Sequence, residues 1–130
     1  AVTATELPTT HRLLEEMLRL SAKLDRGIAE LFHQAKEYAE AEDDYRRAKS
    51  VAFLTAPAEH DTVKAKEAWV DGACQAQRLR RLMAEGLKVA ALEAVRSRRS
   101  QISACQSVAN AIKAEADVAN VAKYGSGGQP

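Results

Sequence analysis

The stretch Ala56-Pro57-Ala58-Glu59-His60-Asp61-Thr62 decides the fold, because Pro57 is the one proline between Pro8 and Pro130. Proline lacks an amide hydrogen and pushes the residue before it out of the helical region, so a helix arriving from the N-terminal side ends there. Asp61 or Thr62 then offers a side-chain oxygen to cap the helix that follows. A turn at 57–61 between helical arms of about 10–56 and about 62–122 predicts an all-α, long antiparallel helical hairpin with coiled-coil-like packing.

Working outward, Thr9 and Thr10 follow Pro8 and place a capping hydroxyl just ahead of Leu13 and Leu14. From there Leu14, Met17, Ser21, Leu24, Ile28, Leu31, Ala35, Tyr38, Glu42, Tyr45, Lys49, Ala52 and Ala56 step by alternating threes and fours. That spacing keeps a seam on one side of a helix. Glu42 and Lys49 weaken the seam beyond Tyr38, and Gly27 costs about 1 kcal/mol relative to alanine.

The second arm has no proline between Val63 and Ala122, a span of roughly 90 Å if it is one helix at about 1.5 Å per residue. It outreaches the first. The surplus must therefore pack on another subunit, break near Gly72 or Gly86, or remain partly exposed, and oligomerisation is the most economical of the three. At 100° per residue, Trp69, Ala76, Met83, Leu87, Ala90, Ala94, Cys105, Val108 and Ile112 fall within an arc of about 60°, the expected core face.

Composition agrees with long helices. The 130 residues are 46% hydrophobic and 28% charged; 26 are alanine, and the aromatic share is 5%. No β-branched runs or glycine loops of the kind that build parallel sheets and nucleotide sites are present, which excludes enzymes on those folds. A single helical domain over 1–123 is expected, with the glycine-rich 124–130 as a flexible tail. Cys74 and Cys105 lack CxxC spacing and a histidine companion, so neither metal nor redox chemistry is expected. No apolar run approaches the roughly 20 residues of a membrane span, and no leader is recognised. A cytoplasmic protein without a membrane partner and without cofactor fits, its initiator methionine removed.

The net charge is +1, yet the charges are sorted along the chain. Residues 1–77 carry −4 and residues 78–113 carry +6. Arg78, Arg81, Glu85, Lys88, Arg96 and Arg99 share an arc of about 80° on the second arm, with Ser103, Gln106, Ser107 and Asn110 continuing it. Arginine and lysine neutralise phosphate, and neutral polar side chains add contacts. The bland alternative is that these cations pair with Glu37, Glu40, Glu42, Asp43 and Asp44 of the first arm, which reach Arg78 to Arg81 but not Arg96 to Arg99. Leu82, Val89 and Leu92 interleave with the cations, as a face touching a neighbouring subunit would. A second basic cluster, Arg46, Arg47 and Lys49, stands beside Tyr45 and Phe53. These aromatics are either core or a platform for stacked bases.

His11, His33 and His60 stand far apart without carboxylate or cysteine companions, and adjacent acids such as Asp43 and Asp44 point in different directions from one helix. No catalytic and no metal site is expected.

The segments Glu67-Ala68-Trp69, Arg96-Ser97-Arg98-Arg99-Ser100-Gln101-Ile102 and Ala111-Ile112-Lys113, preceded by Tyr45-Arg46-Arg47-Ala48-Lys49-Ser50-Val51-Ala52-Phe53-Leu54, resemble the UvsY-type recombination mediators. These are small helical proteins of bacteriophage replication and recombination modules. The resemblance spans about residues 36–113. It implies an oligomer, often a ring, that binds single-stranded DNA and helps a recombinase displace single-strand-binding protein in the bacterial host cytoplasm. By position it implies DNA contacts at Arg46, Arg47 and Lys49, and at Arg96, Arg98 and Arg99. This chain is poorer in aromatics and less basic than that family. The expected function is thus a non-catalytic recombination or replication accessory protein. The alternatives are a structural or adaptor coiled coil meeting an acidic protein surface, and a modulator of one protein partner, with no nucleic-acid role.

Overall fold

The computed structural model describes residues 9–125, so the expected tail beyond Gly125 lies outside the described residues. Three α-helices and no strand occur among the described residues: α1 (Thr10–Thr55), α2 (Val63–Ala73) and α3 (Gln75–Asn120). A π-helical turn, Val121–Gly125, follows α3. The long helices α1 and α3 pack on one another, giving the all-α hairpin that the turn at Pro57 predicts. No helix of the described residues is long and apolar enough to cross a membrane.

The helix ends follow from local chemistry. Thr9 Oγ1 accepts from the Arg12 amide at 3.1 Å, and Thr62 Oγ1 accepts from the Ala65 amide at 3.1 Å, each satisfying an amide that the helix itself leaves without a partner. In the turn, the His60 amide donates to the Pro57 carbonyl at 3.0 Å. The helices run through Gly27, Gly72 and Gly86. The interruption falls at Cys74 instead, whose φ of −107° and ψ of 16° separate α2 from α3.

Contacts group the chain into two compact units. The unit of residues 27–94 holds the turn. Its core is Ala52, Val70 and Cys74, with Tyr45, Ala48 and Trp69 packed against it, and Val70 is 1% exposed. The His60 ring lies 6.5 Å from that of Trp69. Ala41 and Ala84 are the other buried side chains here. The unit of residues 1–26 and 95–130 buries Leu13, Leu20 and Val95. Met17, Leu24, Arg98, Ile102, Cys105, Ala109 and Ile112 are half-buried beside them.

Two sequence expectations are corrected. On α1 the row Met17, Leu24, Leu31, Tyr38, Tyr45 and Ala52 turns inward as expected, and of its expected companions Ile28, Ala35 and Glu42 are half-buried, but Leu14, Ser21 and Lys49 are exposed. Leu13, Leu20, Ala41 and Ala48 on the other flank are the more buried at those levels. A central row has two flanks, about 60° to one side and 40° to the other, and either keeps a three-four step. The flank with alanines at 41 and 48 buries more cheaply than one with Glu42 and Lys49. On α3 the inward row in residues 74–91 is Cys74, Gln77, Arg81, Ala84, Lys88 and Ala91, whereas Ala76, Met83, Leu87, Ala90 and Ala94, expected as core, are exposed.

Candidate interaction surfaces

The nine basic residues singled out from sequence divide between the two units. Arg46, Arg47, Lys49, Arg78, Arg81 and Lys88 belong to the unit of residues 27–94, and Arg96, Arg98 and Arg99 to the other. Five of the first six have carboxylate or aromatic partners within the chain. Arg46 Nε donates to Glu42 at 3.0 Å and Arg47 pairs with Asp43 at 2.7 Å, both one helical turn back along α1. The Arg81 guanidinium lies 4.9 Å from the Tyr45 ring centre and 3.5 Å from Glu42. Lys88 Nζ lies 4.6 Å from the ring centre of Tyr38.

The tyrosines explain why cations turn inward. Tyr38 and Tyr45 occupy the α1 seam, and their ring faces attract a cation that would be costly against leucine. Tyr45, read as a possible stacking platform, thus has Arg81 against its ring, with Lys49 Nζ at 5.9 Å as well. Phe53 is 38% exposed. Arg81 Nε and the Gln77 Oε1 are buried without a hydrogen-bond partner, so this polar layer is incompletely satisfied.

Glu42 is the hub of the layer, a role its sequence position as a seam defect conceals. The Tyr38 hydroxyl donates to its carboxylate and holds its pKa below the ordinary value; partial desolvation opposes this, and Arg81 and Arg46 add to the lowering. The same hydrogen bond raises the Tyr38 pKa, helped by desolvation and by the charges of Glu42 and Glu85. Asp44 pairs with Arg80. The acidic run of α1 thus reaches the start of α3, at Arg80 and Arg81.

In the other unit, Arg98 is half-buried and donates to Gln101 Oε1 at 3.0 Å. Arg96 and Arg99 are exposed, three residues apart on one side of α3. Arg78 and Arg99 have no ion-pair partner among the described residues. His11 pairs with Glu15 at 2.8 Å, and Glu16 is held below its ordinary pKa by a hydrogen bond from Arg19.

Among the exposed charges of residues 27–94 lie large apolar side chains. Leu79, Met83 and Leu87 are each more than half exposed and, with His33, Gln34 and Glu37 of α1, line a groove of about 510 Å³. On the opposite flank of the seam, Leu82, Val89 and Phe32 are at least half exposed. The sequence pattern places Met83 and Leu87 in the core and Leu82 and Val89 on a face touching a neighbour; it singles out neither Leu79 nor Phe32. Comparisons with protein-family models, with curated proteins and with solved structures found no match to this chain.

Proposed function

We propose that the chain is a non-catalytic assembly module that works by packing its exposed helix faces against other helices, those of its own copies first. One observation carries this. In residues 74–91 of the second arm the larger aliphatic side chains, Leu79, Leu82, Met83, Leu87 and Val89, lie outside, while small residues and a polar layer face α1. Exposed aliphatic surface on both flanks is the pattern of a subunit whose core is completed by neighbours. Sedimentation equilibrium at micromolar concentration tests it. A mass above 14.1 kDa that rises with concentration is expected; a constant 14.1 kDa overturns it.

A second reading is favoured by the exposed, ion-pair-free Arg78 and Arg99 and by the +6 charge of residues 78–113. In it the assembled protein also binds single-stranded DNA in a bacterial cytoplasm and assists a recombinase against single-strand-binding protein, as the resemblance to recombination mediators implies. Arg96 and Arg98 would join Arg78 and Arg99 at phosphate, while Arg46, Arg47, Lys49, Arg81 and Lys88 contribute only by leaving their present partners. Fluorescence anisotropy of a labelled oligo-dT strand at two salt concentrations is the test. Binding should weaken with salt, and Arg96→Ala/Arg99→Ala should lower the slope of log K against log salt by about 2. Absence of salt-dependent binding removes this reading and leaves the first.

A further inference from the structure

Resting on self-association as proposed above, the geometry points to the groove beside α3 in residues 27–94 as the site of a second copy of this chain, seated two-fold and antiparallel, α3 against α3. The row Ala76, Arg80, Met83, Leu87, Ala90 and Ala94 repeats by alternating fours and threes from Arg80 onward, the step that keeps one helix in register with another. It is a second seam on a helix whose first seam already faces α1. Met83 and Leu87, at 62% and 54% exposed, are its large apolar members, Leu79 at 57% lines the groove beside them, and alanines stand at both ends of the row.

The two-fold follows from size and charge. With the axis at Glu85, Met83 meets Leu87 of the second copy, Ala76 meets Ala94, and Arg80 meets Ala90. Small residues thus lie where the helices must approach at the ends, and the large ones interdigitate at the centre. The charge match comes from α1. The pairs Asp44–Arg80 and Glu42–Arg81 show that residue numbers on the two helices sum to about 124 at one level, which puts position 90 beside residue 34. Arg80 of the second copy therefore arrives between Glu30 and Glu37. Glu37 lines this groove, as does Arg80 itself, so each copy carries both halves of the complementary pair. An isologous interface needs such self-complementarity.

The opposite flank, with Phe32, Leu82 and Val89, lies outside this groove and serves as the control. Light scattering coupled to gel filtration on the full chain reads the result, with circular dichroism to verify helix content. Met83→Asp/Leu87→Asp should weaken dimerisation at least tenfold, while Phe32→Asp leaves the dimer intact. Arg80→Glu and Glu37→Lys should each weaken the homodimer, and a mixture of the two should restore a dimer, because both crossed pairs become attractive.

The outcomes separate. A monomeric wild type overturns self-association itself. A wild type that assembles but is indifferent to Met83→Asp/Leu87→Asp overturns this face alone. A mixture of the charge-reversed chains that stays monomeric overturns the antiparallel seating. Recovery on mixing supports it even if the aspartate variant fails to fold.

Discussion

Two faces of α3 differ in a way that hydropathy inverts. Between Cys74 and Ala91 the face turned toward α1 carries Gln77, Arg81 and Lys88, whereas the outer row carries Met83 and Leu87. Summed apolarity places the outer row inside. The inner row wins because α1 offers it Tyr38, Tyr45 and Glu42, partners that accept a cation, and because its remaining positions are small. A helix with two seams gives each to a different neighbour. The apolar one is left for association between molecules, where the side chains that drive it must stay available.

The sharpest way to break the comparison is at the apolar end of the inner face. Val70→Asp places an unpaired carboxylate among Ala52 and Cys74 and should cost about 3 kcal/mol or more. Thermal denaturation followed by circular dichroism should show the cooperative transition fall steeply or vanish. Ala41→Leu tests the corrected register: Ala41 is 1% exposed, so the larger side chain should destabilise by about 1–3 kcal/mol. The same change at Ala39, exposed on α1, should be nearly neutral. Equal effects at 39 and 41 would contradict the register.

Arg81→Leu makes the inner face resemble the outer one. It removes a buried Nε without a partner and adds apolar area, while Glu42 keeps Tyr38 and Arg46 as partners, so a gain of about 1 kcal/mol is expected despite the lost contacts with Tyr45 and Glu42. A loss of stability in urea titration would show that the cation on Tyr45 outweighs the orphaned nitrogen.

The smallest effect is pH-dependent. A carboxylate with a lowered folded-state pKa binds fewer protons than in the unfolded chain, so Glu42 contributes stability above its unfolded value near 4.5. That contribution disappears as pH falls through the lower folded value. Tyr38 works in the opposite sense: its raised pKa favours the neutral hydroxyl, and the contribution is lost as pH rises beyond about 10. Melting temperatures between pH 3 and 7 should fall less steeply toward acid for Glu42→Gln than for the wild type. Parallel curves would mean that the Tyr38 hydrogen bond does not discriminate between charged and neutral carboxyl.

Local signals in the sequence sufficed for the elements. Pro57 ends α1, and Thr9 and Thr62 cap their helices, because capping needs one side chain and the amides two or three residues on. Register was half legible. The row through Tyr38 and Tyr45 is fixed by spacing, but which flank accompanies it depends on the partner helix, and Leu13-Leu14 and Gly27-Ile28 offer both choices. The basic residues were legible as residues and not as a surface. Whether Arg81 faces water or Tyr45 depends on a pairing across 36 residues, which no periodicity within α3 contains. The interruption at Cys74 had no signal beyond two nearby glycines through which the helices in fact continue.

That interruption divides the second arm's protection against hydrogen exchange. The Cys74 amide closes the ladder of α2 on the Val70 carbonyl, and its own carbonyl accepts from Arg78 to begin that of α3. The amides of Gln75, Ala76 and Gln77 stand in a first turn, where a helix supplies no partner four residues back. They should exchange with deuterium faster than the amides on either side, a notch within an otherwise protected run. Since Ala76 and Gln77 stand where the outer and inner rows of α3 begin, slowing of that notch on assembly would report contact at the groove from the backbone alone.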